Sequence, residues 1–356
     1  MTDSGPAYHQ GTCYRRHALD ARGLDWANQP SPYKTYADMQ TIDLPETRDF
    51  PRRGVWAVAA EPAKKPAARA PGLADLARVL DLGYSLTAGR RQMGQTFYFR
   101  SPASAGALYP TELYLAARGI QGLAPGLYHC AIGQRALGLL KSGRAADIQQ
   151  CLPGALARRS WAALLIITGR YFRSAWKYGT RGYRYVLLDS GHLAGNLMLA
   201  IQCCGLPGEV AYDFDDRALA RALGLDPDLE GGLACIALGG GTPSPERGGE
   251  TADGNPTPEA RPLCAREPVD PGIQAAYQAG AQLTAEAPSG FSMARPMAQS
   301  VTAGAALHPE QMPSGALAGP PAVLSRRSKR NFVGRTLERG TFNALLELVR
   351  RHYSQA

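Results

Sequence analysis

A chain of 356 residues, 45% hydrophobic and 19% charged, exceeds one average domain and can bury a proper core. The net charge of +9 favours acidic partners such as phosphates or an acidic peptide, yet the basic residues are scattered, with no basic-aromatic ladder and no zinc-finger spacing, which argues against a specific nucleic-acid role. No stretch has the apolar length of a membrane span, and the N-terminus lacks a signal layout, so a cytoplasmic protein is expected.

Residues 1–49 read as an N-terminal arm. Positions 8–45 are aromatic and proline-rich, including Trp26-Ala27-Asn28-Gln29-Pro30 and Pro32-Tyr33-Lys34-Thr35-Tyr36, and predict an irregular segment packed on a domain. Residues 60–72 look like a spacer. Pro71-Gly72 then starts a helix over 73–84, with Leu73, Leu76 and Leu80 at helical spacing.

The loop Arg100 to Pro110 follows, with two small hydroxyl residues, Ser101 and Ser104, closed by Gly106 and Pro110. Small residues let a backbone approach a flat ligand, and serine hydroxyls can bond its polar edge. Strands are expected at 112–118 and 126–132, as a hairpin or as two strands of one sheet, and a buried strand at 161–168.

Lys177-Tyr178-Gly179-Thr180-Arg181-Gly182-Tyr183-Arg184-Tyr185 precedes an apolar helix that runs to Cys204, with Gly205 as its cap. Lys177 and Tyr178 can serve as general base or acid once burial or a cation lowers their pKa values; a surface basic-aromatic loop is the plainer reading. His192 reads as a hydrogen-bonded core histidine. Asp213, Asp215 and Asp216 suit a helix N-cap before Arg217 better than a metal site, and no metal is assigned.

A short strand at 233–238 closes this region. Helices and strands mix without regular alternation, which points to an α+β fold. Residues 246–323, rich in Pro, Gly and Ala, read as a linker with at most a short helix over 271–286. Arg326-Arg327-Ser328-Lys329-Arg330 then feeds an amphipathic helix over 337–352; its Arg forks and Ser donor suit a phosphate. The seven cysteines show no CxxC pair, and several sit in apolar runs as buried reduced thiols do.

In order, Ser104-Ala105-Gly106-Ala107-Leu108-Tyr109-Pro110, Gly122 to His129, Lys177-Tyr178-Gly179 with Arg181 to Tyr185, Gly191-His192-Leu193 through Gly205-Leu206, and Phe214-Asp215-Asp216 resemble the SagB-type dehydrogenase branch of the nitroreductase family. Tyr8-His9 and Asp25-Trp26 in the arm are similar to that branch too. The resemblance implies a central mixed or antiparallel sheet flanked by helices, with FMN at a dimer interface. It implies oxidation of thiazolines or oxazolines in ribosomally made peptides: hydride passes to the flavin and a base takes a second proton. Lys177 and Tyr178 map to that basic apparatus. Ser104, Ala105 and Gly106, with Arg100 at the head of their loop, map to flavin contacts, and Arg327, Ser328 and Arg330 to the phosphate and ribityl chain.

The chain departs from the pattern in two places. Residues 62–71 hold no Arg-Ser-Arg motif, and Ala103 stands where a proline usually precedes the serine. A tandem layout accounts for the first: one nitroreductase-like copy at 50–245 and the start of a second at 324–356, giving a homodimer or pseudo-dimer whose site is completed by Arg327, Ser328 and Arg330. The leading expectation is an azoline oxidase working with a cyclodehydratase complex. An NAD(P)H-dependent nitro or quinone reductase, and a flavin-free scaffold for a peptide, are the alternatives.

Overall fold

The computed structural model describes residues 4–13, 23–47, 49–50, 70–92, 94–152, 160–240 and 258–281, together with positions 324, 326, 339–340 and 343. The chain opens with helix α1 (Ser4–Gly11) and strand β1 (Thr41–Asp43), followed by helix α2 (Leu73–Gly83). A hairpin of β2 (Leu86–Gln92) and β3 (Gln95–Arg100) stands apart as its own two-stranded sheet. Then come β4 (Thr111–Ala117), β5 (Gly126–Ala131), β6 (Ala136–Ser142), α3 (Ala145–Gln150) and β7 (Ala163–Arg170). The rest is α4 (Tyr171–Tyr178), α5 (Gly182–Cys203), β8 (Gly208–Ala211), α6 (Asp216–Leu223), β9 (Glu230–Leu238) and α7 (Pro271–Ala281).

The main sheet has the order β1–β6–β5–β4–β7–β9–β8, and every pairing in it is antiparallel. The fold is therefore α+β, with an antiparallel rather than a mixed sheet. β4 and β5 form the hairpin, pairing Tyr114 with His129 and Ala117 with Gly126.

Both sheet faces are covered, which explains why the central strands read as unbroken apolar runs. Along β4, Leu113, Leu115 and Ala117 face α2 and α5, while Tyr114 and Ala116 face α3 and α6. Leu76, Leu113, Leu165 and Leu197 are fully buried; each contributes about 1.5–3 kcal/mol from the apolar area removed from water.

α2 starts where Asp75 accepts a hydrogen bond from the Gly72 amide (3.0 Å). It crosses α5 closely at Gly83, where a Cβ would lie 2.6 Å from Leu197 Cδ2. α5 starts at Gly182, earlier than its apolar run begins, because Tyr183 and Val186 pack with Tyr171, Ile273 and Tyr277. Its end is as expected: Gly205 has φ +69, and the Leu206 amide donates to Ile201 O at 3.0 Å. Asp215 caps α6 by accepting from the Ala218 amide at 2.9 Å.

The linker reading needs correction over residues 258–281. This segment pairs with the N-terminal arm: Ser31 N donates to Leu263 O (2.8 Å), Ala37 N to Glu259 O (3.1 Å), and Arg261 N to Thr35 O (2.8 Å). Four prolines (Pro258, Pro262, Pro268 and Pro271) and small residues suit a strap whose hydrogen bonds come from another strap, and α7 buries Ile273 and Tyr277. Of the helix expected at 337–352, positions 339–340 and 343 are described and helical; its other positions, and the rest of 246–323, lie outside the described residues.

A buried ionic group fixes this double strap to the sheet. Glu230 on β9 receives Lys34 Nζ at 2.7 Å, the Tyr114 hydroxyl at 2.8 Å and the Thr168 hydroxyl at 2.6 Å. Arg170 lies 3.6 Å from Glu230 and also pairs with Glu267 in the strap. Burial pushes the Glu230 carboxyl up, but Lys34 and Arg170 hold it below the usual carboxylate range.

Candidate active site

The loop after β3 has an unusual backbone. Gly106, Ala107 and Tyr109 all have positive φ (66°, 55° and 49°). At the two non-glycine positions this conformation costs roughly 1–2 kcal/mol each, so the surroundings must hold it. Asp189 on α5 does so. Its carboxylate accepts from Ser104 Oγ (2.6 Å) and from the Ala105 amide (3.1 Å), and Ser104 Oγ accepts from the Tyr109 amide (2.8 Å). The Ala107 and Leu108 amides turn inward to Ser104 O and Ala105 O. Gly106 N–H has no partner among the described residues. Gly106 and Ala107 are exposed, so the loop offers a small, flat backbone surface with one unclaimed donor.

Lys177 and Tyr178 meet that surface. They are the last residues of α4, not part of a free loop. A Cβ on Gly106 would lie 2.8 Å from Tyr178 Oη and 3.2 Å from Lys177 Nζ. Lys177 Nζ sits 5.4 Å from the Tyr178 ring centre, and the Tyr178 ring packs on Tyr185 with centroids 4.3 Å apart. Burial, then Tyr185 and Asp189, push the Tyr178 phenol up. This corrects the expectation of a lowered pKa: at neutral pH Tyr178 is a hydrogen-bond donor.

Beneath the loop, Arg173 ties its end to α4. Arg173 Nη1 donates to Tyr109 O (3.1 Å) and Nε to Ser31 O (2.9 Å), while Nη1 pairs with Glu112 at 2.6 Å. His129 bonds the other Glu112 oxygen at 2.9 Å. Burial raises the Glu112 carboxyl, but Arg173 and His129 outweigh it and hold the group well below the carboxylate range. Arg173 stands one helical turn before Lys177, so loop and helix are fixed to one another.

The other expected residues fall as follows. Ser101 is buried, and its Oγ accepts from the Ser85 amide at 3.2 Å. The Arg100 guanidinium is also buried, bonded to Pro32 O and the Tyr84 hydroxyl and lying 4.8 Å from the Tyr109 ring centre. It therefore points away from the exposed loop. Arg327, Ser328 and Arg330 lie outside the described residues. Their neighbour Arg326 docks on this region, with Nε donating to Ser101 O and Nη2 to Arg100 O, both at 3.4 Å. Leu324 lines a cavity of about 370 Å³ with Leu80, Tyr84 and Leu86.

Sequence reasoning missed Asp189, although an aspartate inside an apolar helix is itself a signal. Burial pushes its carboxyl up to about 6, against the lowering effect of the bonds from Ser104 and Ala105. His192, expected in the core, is exposed on α5. Cys130, Cys151, Cys203 and Cys235 are buried free thiols, as expected. Among the described residues no cluster could hold a metal ion, and no helix is long and apolar enough to cross a membrane.

Residues 68–240 match the Nitroreductase family. A Methanocaldococcus jannaschii protein named as a nitroreductase is 28% identical over 155 residues, 42% of this chain and 73% of that relative. The trifolitoxin-processing protein TfxB of Rhizobium leguminosarum bv. trifolii is 25% identical over 142 residues, 38% of each chain. A crystal structure from Anabaena variabilis, titled as a nitroreductase, aligns at 34% identity and a TM-score of 0.55, covering 66% of this chain and 46% of its own. The chain thus spans less than half the length of the last two relatives.

Proposed function

We propose that the protein, whose residues 68–240 match the Nitroreductase family, is an FMN-dependent oxidoreductase that converts thiazoline or oxazoline rings in a ribosomally made peptide to thiazoles or oxazoles. The observation that carries this reading is the meeting of the Gly106 backbone with Lys177 and Tyr178. The similarity to a trifolitoxin-processing protein supports a peptide as the substrate class.

The site fits a flat ring with acceptor atoms along its edge, as in FMN. Gly106 and Ala107 leave a surface without bulk, and the Tyr178 hydroxyl, a donor, lies beside the Gly106 backbone. When bound, FMN supplies a two-electron acceptor. In this proposal Ala105, Gly106 and Ala107 lie against the ring, and Ser104 shapes the loop from behind. Dehydrogenation of an azoline removes a hydride, which passes to the flavin, and a proton, which Lys177 Nζ takes as its neutral amine while Tyr178 donates a hydrogen bond. Arg327, Ser328 and Arg330 hold the phosphate and ribityl chain, and the docking of Arg326 on Ser101 supports their delivery to this loop. Arg100 takes part through its backbone carbonyl, which anchors Arg326.

The exposed face of α5 is the proposed contact with a second copy or pseudo-copy. Leu187 and Leu188 are 45% and 62% exposed, and no atom lies within 4 Å of a Cβ built on Gly191 or Gly195. Such a face permits close approach of another element. A cyclodehydratase, which makes azolines, is the proposed supplier of substrate.

The test is to incubate the FMN-loaded full chain with an azoline-bearing peptide in air. Azole formation without NAD(P)H is the expected result. Steady NAD(P)H consumption with a nitro or quinone acceptor, and no azole, would favour a reductase instead. The likeness to the M. jannaschii protein supports that second reading.

A further inference from the structure

We infer that Asp189 is the positioning residue of the site: acting through the Ser104 hydroxyl and the Ala105 amide, it holds the Ser104–Tyr109 loop in the backbone conformation that presents Gly106 to Lys177 and Tyr178. The latch itself rests on geometry alone; only what the loop then faces rests on the flavin-site reading.

The chain of bonds is continuous. Asp189 Oδ2 accepts a hydrogen bond from the Ser104 hydroxyl at 2.6 Å, and Oδ1 accepts one from the Ala105 amide at 3.1 Å. With its proton committed, Ser104 Oγ orients a lone pair to the Tyr109 amide at 2.8 Å, across the left-handed residues Gly106 and Ala107. The arrangement needs two acceptors and no donor on one short side chain, which a carboxylate provides and an amide does not. Asp189 is 4% exposed and has no lysine or arginine ion-pair partner among the described residues. A buried carboxylate without a lysine or arginine partner is tolerated only where hydrogen bonds replace its water, and here both hydrogen bonds come from the loop.

Ser104 is thereby reassigned. Its hydroxyl proton is not available to a ligand, and the serine serves the loop, not the ring. The ligand-facing donor is the Gly106 amide.

Amide hydrogen exchange on the cofactor-free protein, paired with FMN titration, tests this. Asp189→Asn and Ser104→Ala are each expected to speed exchange across residues 104–109 at least roughly tenfold, the loss of at least one net hydrogen bond. The double variant is expected to go no further than either single one, and exchange in the C-terminal half of α5 to stay unchanged. Ser104→Thr keeps the hydroxyl and is expected to retain the slow exchange, which guards against a merely misfolded variant. Loop exchange at the wild-type rate in Asp189→Asn, or multiplying effects in the double variant, overturns the latch. Faster exchange with unaltered FMN affinity supports the latch and removes this loop from the flavin site, a failure of the functional reading alone.

Discussion

The Tyr178 hydroxyl lies 2.8 Å from the point where Gly106 would carry a Cβ, and Gly106 has φ +66. One residue thus meets two demands, a left-handed backbone and direct contact with the end of α4. Gly106→Ala is expected to lose stability by roughly 1–2 kcal/mol from the backbone alone. Its methyl group also pushes Tyr178 and Lys177 out of register with the loop. FMN affinity, followed by flavin fluorescence, should fall at least about tenfold, the effect of losing one good contact. Wild-type affinity would place the ring elsewhere.

Asp189 predicts a pH dependence of stability. Burial holds its folded pKa at about 6, above the unfolded value of about 3.9. A raised carboxyl contributes stability that is full below the unfolded value and is lost as pH rises through the folded one. In Asp189→Asn that loss is absent. The wild type should therefore weaken relative to the variant between about pH 4 and 6, by up to roughly 3 kcal/mol. Urea unfolding across this range checks it, and a gap independent of pH would contradict it.

Lys34 and Glu230, 2.7 Å apart and buried, predict the opposite sign. Glu230 is held below its ordinary pKa, so its contribution is present above about pH 4.3 and lost as pH falls through the folded value. Lys34→Met leaves a buried carboxylate short of its main cation and should cost about 3–5 kcal/mol at neutral pH. Adding Glu230→Gln should recover part of that. Thermal unfolding of the single and double variants measures both effects, and a silent Lys34→Met would show that the arm is not anchored there.

Leu188 is 62% exposed on α5. If this face joins two copies, Leu188→Lys should shift the protein to monomer in light scattering and lower FMN content with it. A dimer that survives the change would move the interface elsewhere.

Much of the fold was legible because periodicity and length agree along β4, β7, α2 and α5. The strap at 258–281 was not. Its hydrogen bonds go to residues more than two hundred positions away, such as Asn28 with Arg266, and composition carries no trace of such pairing. The hairpin β2–β3 escaped because Gly89 and the arginines Arg90 and Arg91 interrupt its apolar signal. At the site, the loop and the Lys177-Tyr178 pair stood out as short motifs. That they touch, that Ser104 faces Asp189, and that Arg100 turns inward depend on how α4 and α5 pack, which single residues do not reveal. His192 misled for the same reason: α5 is apolar on a face that is exposed.

The central claim is that Lys177 and Tyr178 act on an azoline beside FMN held by the Gly106 loop. Its most direct test is mass spectrometry of an azoline-bearing peptide incubated with the FMN-loaded wild type and with Lys177→Ala of equal FMN content. The wild type is expected to remove two hydrogens from the peptide per ring, and Lys177→Ala to slow this by about a hundredfold or more, as for loss of a positioned base. Equal conversion by both proteins, or an unaltered peptide with the flavin-loaded wild type, would contradict it.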